Sequence, residues 1–226
     1  MTDLIAGPVL VIAPHPDDEV LGVGGTVARL SAAGVPVDVA VVTKGYPPQW
    51  DEAFIARGRR EAADAHRRLG VRETTYLDFP AAALDTVPHR DLNAGLASLI
   101  ARVRPQTVFV PFVGDIHADH QLVFASALVA ARPSTSAPPR TILAYETLSE
   151  TNWNAPYVTP AFTPTVYVDI GAHVDAKVEA MQCFASQIKP FPHERSAESL
   201  RALALLRGST VGIAAAEAFV LVRHTA

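Results

Sequence analysis

The stretch Val9-Leu10-Val11-Ile12-Ala13-Pro14-His15-Pro16-Asp17-Asp18-Glu19 decides how the rest of the chain is read. Its first five residues are apolar without alternation, the mark of a strand buried on both faces. Two prolines then stiffen a loop in which four ionisable side chains fall within five residues. Helical character follows over residues 20–33 and stops at Gly34. In an open α/β sheet, ligands bind beyond the carboxyl ends of the strands. This loop stands at such an end.

Outward from this unit the pattern repeats. Residues 37–42 form a second apolar, β-branched run, and residues 52–69 a charged amphipathic helix stopped by Gly70. A weaker strand is expected at 74–77, a helix at 92–103 ending before Pro105, a strand at 107–112 and a helix at 119–131. Strand and helix thus alternate four times in the first 131 residues. That implies an α/β fold with a Rossmann-like, mainly parallel sheet and helices on both faces. A Pro/Ser/Thr surface linker covers 133–139. Beyond it the chain is less regular, with strands expected at 142–145, 166–170 and 218–222 and helices at 174–186 and 196–206. The stretch 149–164, with Trp153 and three prolines, reads as a loop near the site.

Composition narrows the function classes. The 226 residues are 49% apolar and 19% charged, an ordinary globular balance that suits one domain over residues 1–226. A net charge of -4 without a basic run argues against nucleic acid and acidic membrane surfaces as partners. The single Cys183 excludes an intramolecular disulfide and fits a reducing compartment. Residues 1–8 lack the pattern of a secretory signal, and no apolar run reaches the ~18 residues of a membrane span. A cytoplasmic, soluble protein is expected.

A second charged string, His117-Ala118-Asp119-His120, also follows an expected strand. Two loops at one sheet edge can face each other. Imidazole nitrogens and a carboxylate oxygen suit zinc, and a site of two histidines and one carboxylate leaves positions open for water and substrate. Read separately, each string also fits a plain role: acidic residues beside a helix N-terminus, or a surface loop capped by Asp119.

Together, His15-Pro16-Asp17-Asp18-Glu19 and His117-Ala118-Asp119-His120 resemble the PIG-L/LmbE-like family of zinc-dependent de-N-acetylases. Glu61 on the second helix, Arg207-Gly208-Ser209 and Ala216-Glu217-Ala218-Phe219 extend the likeness over nearly the whole chain. The resemblance implies a Zn2+ hydrolase, with Fe2+ or Co2+ as alternative ions, that removes an acetyl group from a small N-acetylated amino sugar. It makes His15, Asp18 and His120 the metal ligands. It makes Asp17 the general base, and His117 the group that stabilises the tetrahedral intermediate or protonates the amine. Asp119 is then the residue that orients and charges His117. An amide resists water at neutral pH, and a base and a metal divide that work. Family members often form homo-oligomers. The family often carries an arginine where Gly58 stands here, among Arg57, Arg59 and Arg60. Either a neighbour substitutes or the substrate lacks the group that arginine would bind, and Arg57 and Arg60, with Tyr145 at a strand end, are the candidate substrate contacts. Cleavage of another amide, such as a thiol conjugate, and a non-catalytic metal or sugar-binding module are the alternatives. The presence of Asp17, His117 and Asp119 argues against the module, because binding alone needs neither base nor acid.

The glycines Gly22, Gly24 and Gly25 lie past the start of the first helix. They read as close packing rather than a nucleotide loop, which would lie between strand and helix.

Overall fold

The computed structural model describes residues 4–226, so the reading of the N-terminal stretch falls partly outside the described residues. One seven-stranded sheet has the order β3-β2-β1-β4-β5-β7-β6. Its strands are β1 (Val9–Ala13), β2 (Val37–Lys44), β3 (Glu73–Pro80), β4 (Thr107–Pro111), β5 (Thr141–Tyr145), β6 (Val166–Asp169) and β7 (Ala216–His224). The helices are α1 (Asp18–Ala32), α2 (Glu52–Leu69), α3 (His89–Val103), α4 (Ala118–Ala130), α5 (Val174–Cys183) and α6 (Ala197–Thr210). The first five strands are parallel, and β7 pairs antiparallel with both β5 and β6.

The continuous apolar run of β1 has a direct consequence. Val9 and Val11 pack into a core with Val20, Val23 and Val27 of α1 and Ala62, Ala65 and Leu69 of α2. Leu10 and Ile12 point the other way, among Leu92, Leu96 and Ile100 of α3 and Val123 and Ala127 of α4. A central strand with a helix layer on each side must be apolar at every position.

Local signals set the helix bounds. Asp51 caps α2 by accepting the Phe54 N–H at 2.7 Å, and Gly70, at φ 76°, ends it in the left-handed region. A Cβ on Gly22 would lie 2.2 Å from the Tyr145 ring and one on Gly25 2.7 Å from Ile170, so these glycines let α1 lie against the sheet. Midway along α1, the buried Glu217 carboxylate accepts the N–H groups of Gly25 and Thr26, while Lys177 Nζ donates to Leu21 O and to Glu217 Oε1 at 2.6 Å. None of the helices among the described residues is long and apolar enough to cross a membrane.

The chain runs outward from β1 to β2 and β3, then returns to place β4 on the other side of β1. This reversal opens a crevice at the carboxyl ends of β1 and β4. Both charged strings project there.

Candidate active site

The 14–17 loop carries β1 into α1 through Asp17, at φ 111°, a backbone conformation that favours glycine. Its hydrogen bonds hold it there. The Asp17 N–H donates to Glu19 Oε2 at 3.1 Å, and its carbonyl accepts from Val20 and Leu21. Glu19 is itself fixed by His66 Nε2 at 2.8 Å, whose Nδ1 meets Thr74 Oγ1 at 2.7 Å. Asp17 is thereby turned toward the cavity while its neighbour Asp18 turns inward.

Asp18 Oδ2 takes the His15 N–H at 2.8 Å and faces His15 Nδ1 at 3.3 Å and His120 Nε2 at 3.2 Å. His120 is fully buried, and its Nδ1 lies 2.8 Å from Asp115 Oδ2. Asp115 in turn accepts the Thr151 hydroxyl at 2.6 Å. That bond aims His120 Nε2 at Asp18 Oδ2, 3.2 Å away, an ion-pair distance at which the buried Nε2 makes no well-aligned hydrogen bond. Buried polar atoms are normally satisfied, and a ring nitrogen held this way beside a carboxylate is what a metal ligand looks like before the ion arrives. His15, Asp18 and His120 can bring ligand atoms within 4.8 Å of one another, and so can His15, His117 and Asp119.

The charges answer to this crowding. Burial opposes protonation of His15, but Asp119 and Asp18 outweigh it and lift the imidazole to about 9. Burial likewise opposes a charged His120, and Asp18 and Asp115 raise it to about 10. Burial alone would raise Asp18; His120 and then His15 hold it well below the carboxylate range. Asp17, desolvated and flanked by Asp18 and Glu19, is pushed up to about 8 against the pull of Arg195.

The second string behaves differently from expectation. The helix cap is His117 rather than Asp119: its Nδ1 accepts the Asp119 N–H at 3.1 Å. Asp119 Oδ2 lies 3.0 Å from His15 Nε2 and 4.0 Å from His117 Nδ1, and it also accepts the Ala82 N–H at 2.7 Å. Its close partner is therefore His15. Burial, together with the charge on His15, lowers the His117 pKa rather than raising it. A ring that accepts at Nδ1 carries its proton on Nε2 and is neutral.

These groups lie at one end of a cavity of about 260 Å³, close to the low end of small-molecule sites, roughly 300–1,000 Å³. A family model described as GlcNAc-PI de-N-acetylase (PIG-L) matches residues 10–131, more than half of the chain and the part that holds both strings. The chain belongs to the PIG-L family. It is 28% identical, over 95% of its length and 91% of the relative's, to the 1D-myo-inositol 2-acetamido-2-deoxy-alpha-D-glucopyranoside deacetylase of Mycobacteroides abscessus. Its fold is similar to that of a conserved protein from Thermus thermophilus, with TM-score 0.79 and 28% identity over 96% of each chain. It is also similar to the N,N'-diacetylchitobiose deacetylase of Pyrococcus horikoshii, with TM-score 0.75 and 27% identity over 94% of this chain and 82% of the other.

Within this PIG-L chain the six expected metal and catalytic residues of the two strings come together, whereas the expected substrate contacts do not join them. Arg57 and Arg60 are exposed and outside the cavity lining, because the α2 face that reaches the cavity carries Gly58 and Arg59 instead. Tyr145 is fully buried, with its hydroxyl donating to Ile12 O at 2.9 Å, so it belongs to the core. The sequence reading missed Arg195, which donates to Asp17 Oδ2 at 2.9 Å, to Ser149 Oγ at 2.8 Å and to Glu150 Oε1 at 3.3 Å. It also missed the part played by Asp115. Asp115 could have been noticed as a carboxylate five residues before His120; Arg195 lies in an irregular segment with no pattern to mark it.

Proposed function

We propose that this chain is a divalent-metal-dependent N-deacetylase acting on a small N-acetylglucosamine-type substrate, with His15, Asp18 and His120 holding the ion. The convergence of His15, Asp18 and His120, with the buried Nε2 of His120 aimed at Asp18 without a well-aligned hydrogen bond, carries this reading. Two imidazoles and one carboxylate suit Zn2+ and leave coordination positions free; Fe2+ or Co2+ fit the same donors. The competing trio is the weaker candidate, because Asp119 is engaged by the Ala82 N–H and His117 Nδ1 by the helix cap. The names of the similar deacetylases support the acetyl group and the amino sugar. The free, half-buried Cys183 suits a reducing compartment such as the cytoplasm.

When bound, such an ion polarises the amide carbonyl and lowers the pKa of water from ~15.7 towards ~7. The side chains do the rest. Arg195 secures Asp17 Oδ2, leaving Oδ1 to take the proton of the attacking water. His117 Nε2–H donates to the carbonyl oxygen as negative charge builds there. A neutral His117 is a donor and not a cation, so Asp17, which has gained the proton, delivers it to the departing amine. Asp119 orients His15.

The test is to load the protein with Zn2+ and follow N-acetylglucosamine and its glycosides for acetate and free amine in equal amounts. Chelation should abolish the release and Zn2+ restore it. Asp17→Asn should lower turnover by ~10²–10⁴ while metal content stays constant. Unchanged turnover refutes the base; a larger acid in place of acetate, from a thiol conjugate, makes the enzyme a different amidase.

A further inference from the structure

The cavity has a second end. The loop after β2 and the first half of α2 present Trp50, Phe54, Ile55 and Gly58, opposite Tyr76 of β3 and the buried Phe184 after α5. Gly58 lines the cavity and a Cβ built on it meets nothing within 4 Å, so a larger side chain at this position has room. An aromatic and aliphatic lining with free volume is a place for a ligand group, since apolar surface left open to water is unfavourable.

Each cation nearby has a carboxylate neighbour, one carboxylate being shared between two cations. Arg59 pairs with Asp78 and lies over the Tyr76 ring at 4.6 Å. Lys44 lies 4.0 Å from Asp78 Oδ2 and 4.3 Å from the centre of the Tyr46 ring. Arg195 is bound to Asp17 and Glu150. The carboxylate of Glu61 is closed off by the Ser186 N–H at 3.1 Å and hydroxyl at 2.5 Å. Arg59 and Lys44 share the one Asp78 carboxylate, so an anionic substituent entering here would be desolvated and would compete with Asp78 for them, and a cationic one would find Glu61 engaged.

From this juxtaposition we infer that the α2 end of the cavity is a subsite for an uncharged apolar group, aryl or alkyl, attached to the amino sugar whose acetyl group is removed. The subsite rests on the deacetylase reading for its sugar and on Trp50, Phe54, Ile55, Tyr76 and the space at Gly58 for its preference. Free N-acetylglucosamine and glycosides with phosphate or carboxylate aglycones are then poor substrates of the same site.

The experiment compares, on Zn2+-loaded protein, phenyl and octyl N-acetylglucosaminides of both anomers with free N-acetylglucosamine and N-acetylglucosamine 1-phosphate. For the better apolar glycoside kcat/KM should exceed that of the free sugar by at least about tenfold, the lower end of what an apolar pocket discriminates, and the phosphate should fall below the free sugar. Gly58→Arg, which places a guanidinium in the space at Gly58, should cut the apolar preference at least tenfold and raise the relative rate on the phosphate. Release of acetate from the free sugar or the phosphate at a rate equal to or above the apolar glycosides overturns the subsite while the deacetylase reading stands. If no substrate releases acetate, that reading fails, and calorimetry decides the subsite separately. Tenfold tighter binding of phenyl glucosaminide than of glucosamine, weakened in Gly58→Arg, supports it; equal binding overturns it.

Discussion

The two ends of the cavity are built on opposite plans. At the inner end nearly every polar atom has an assigned neighbour: Asp115 sets His120, Asp119 sets His15, Glu19 sets the Asp17 backbone and Arg195 sets its carboxylate. At the α2 end Trp50, Phe54, Ile55 and Tyr76 stand beside Arg59, Lys44 and Glu61, whose polar ends are held by neighbouring side chains, and a Cβ on Gly58 would meet open space. Hydrogen bonds fix direction, which bond-breaking chemistry requires. Apolar contact is tolerant of direction and sensitive to volume, which suits the choice of substrate. Reaction and selectivity are therefore separable here, and changes at one end should leave distinct signatures from changes at the other.

The largest signature belongs to the proposed metal trio, His15, Asp18 and His120. His120→Ala should lower metal affinity by more than the ~10–100-fold that outer partners contribute and take activity with it, as metal analysis after dialysis will read. A bound ion retained in this variant would break the division between the two ends. Next comes pH. Metal binding needs unprotonated imidazoles, and without an ion His15 holds its proton to about 9 and His120 to about 10. Apparent affinity should climb with pH, by about tenfold per unit for each displaced proton, and level off above pH 10. The same shifts bear on the metal-free fold. Both pKa values are raised above the unfolded 6.5, so their stabilisation is full below that pH and is lost as pH rises through 9 to 10. Thermal unfolding in chelator, scanned from about pH 6 to about pH 10.5, checks the sign.

Asp115→Asn should cost a smaller ~10–100-fold in metal affinity by loosening His120, with the fold retained on circular dichroism; an unchanged affinity would show that burial alone aims the ring. The smallest effect is expected from Arg60→Ala. Exposed and outside the cavity, it should alter kcat/KM by no more than about twofold on any glycoside, and a larger loss would bring the outer face of α2 into the site.

Legibility along the chain follows the same physics. The βα alternation up to α4 could be read because parallel strands with two covered faces are unbroken apolar runs, and because Asp51 and Gly70 bound α2 by local backbone chemistry. Both charged strings could be read because each follows such a strand. The antiparallel insertion of β7 between β5 and β6 could not, since pairing partners far apart in sequence leave no local periodicity. Tyr145 illustrates the limit at one residue. Its place at a strand end suggested the cavity, but the missing side chain of Gly22 makes room for its ring in the core. Arg195 could be found only in three dimensions, because its value lies in reaching Asp17 across 178 residues of chain.

The carboxylate of Glu217 meets the backbone of α1 from 192 residues away, and Lys177 comes from 156 residues away. During synthesis the N-terminal strands and helices leave the ribosome long before either side chain exists. The middle of the helix that begins with Asp18 is therefore clamped by side chains that come much later in the chain. The loop that opens this helix is written before its clamp, so a chain interrupted before β7 carries both charged strings and lacks the clamp that holds the helix of the first.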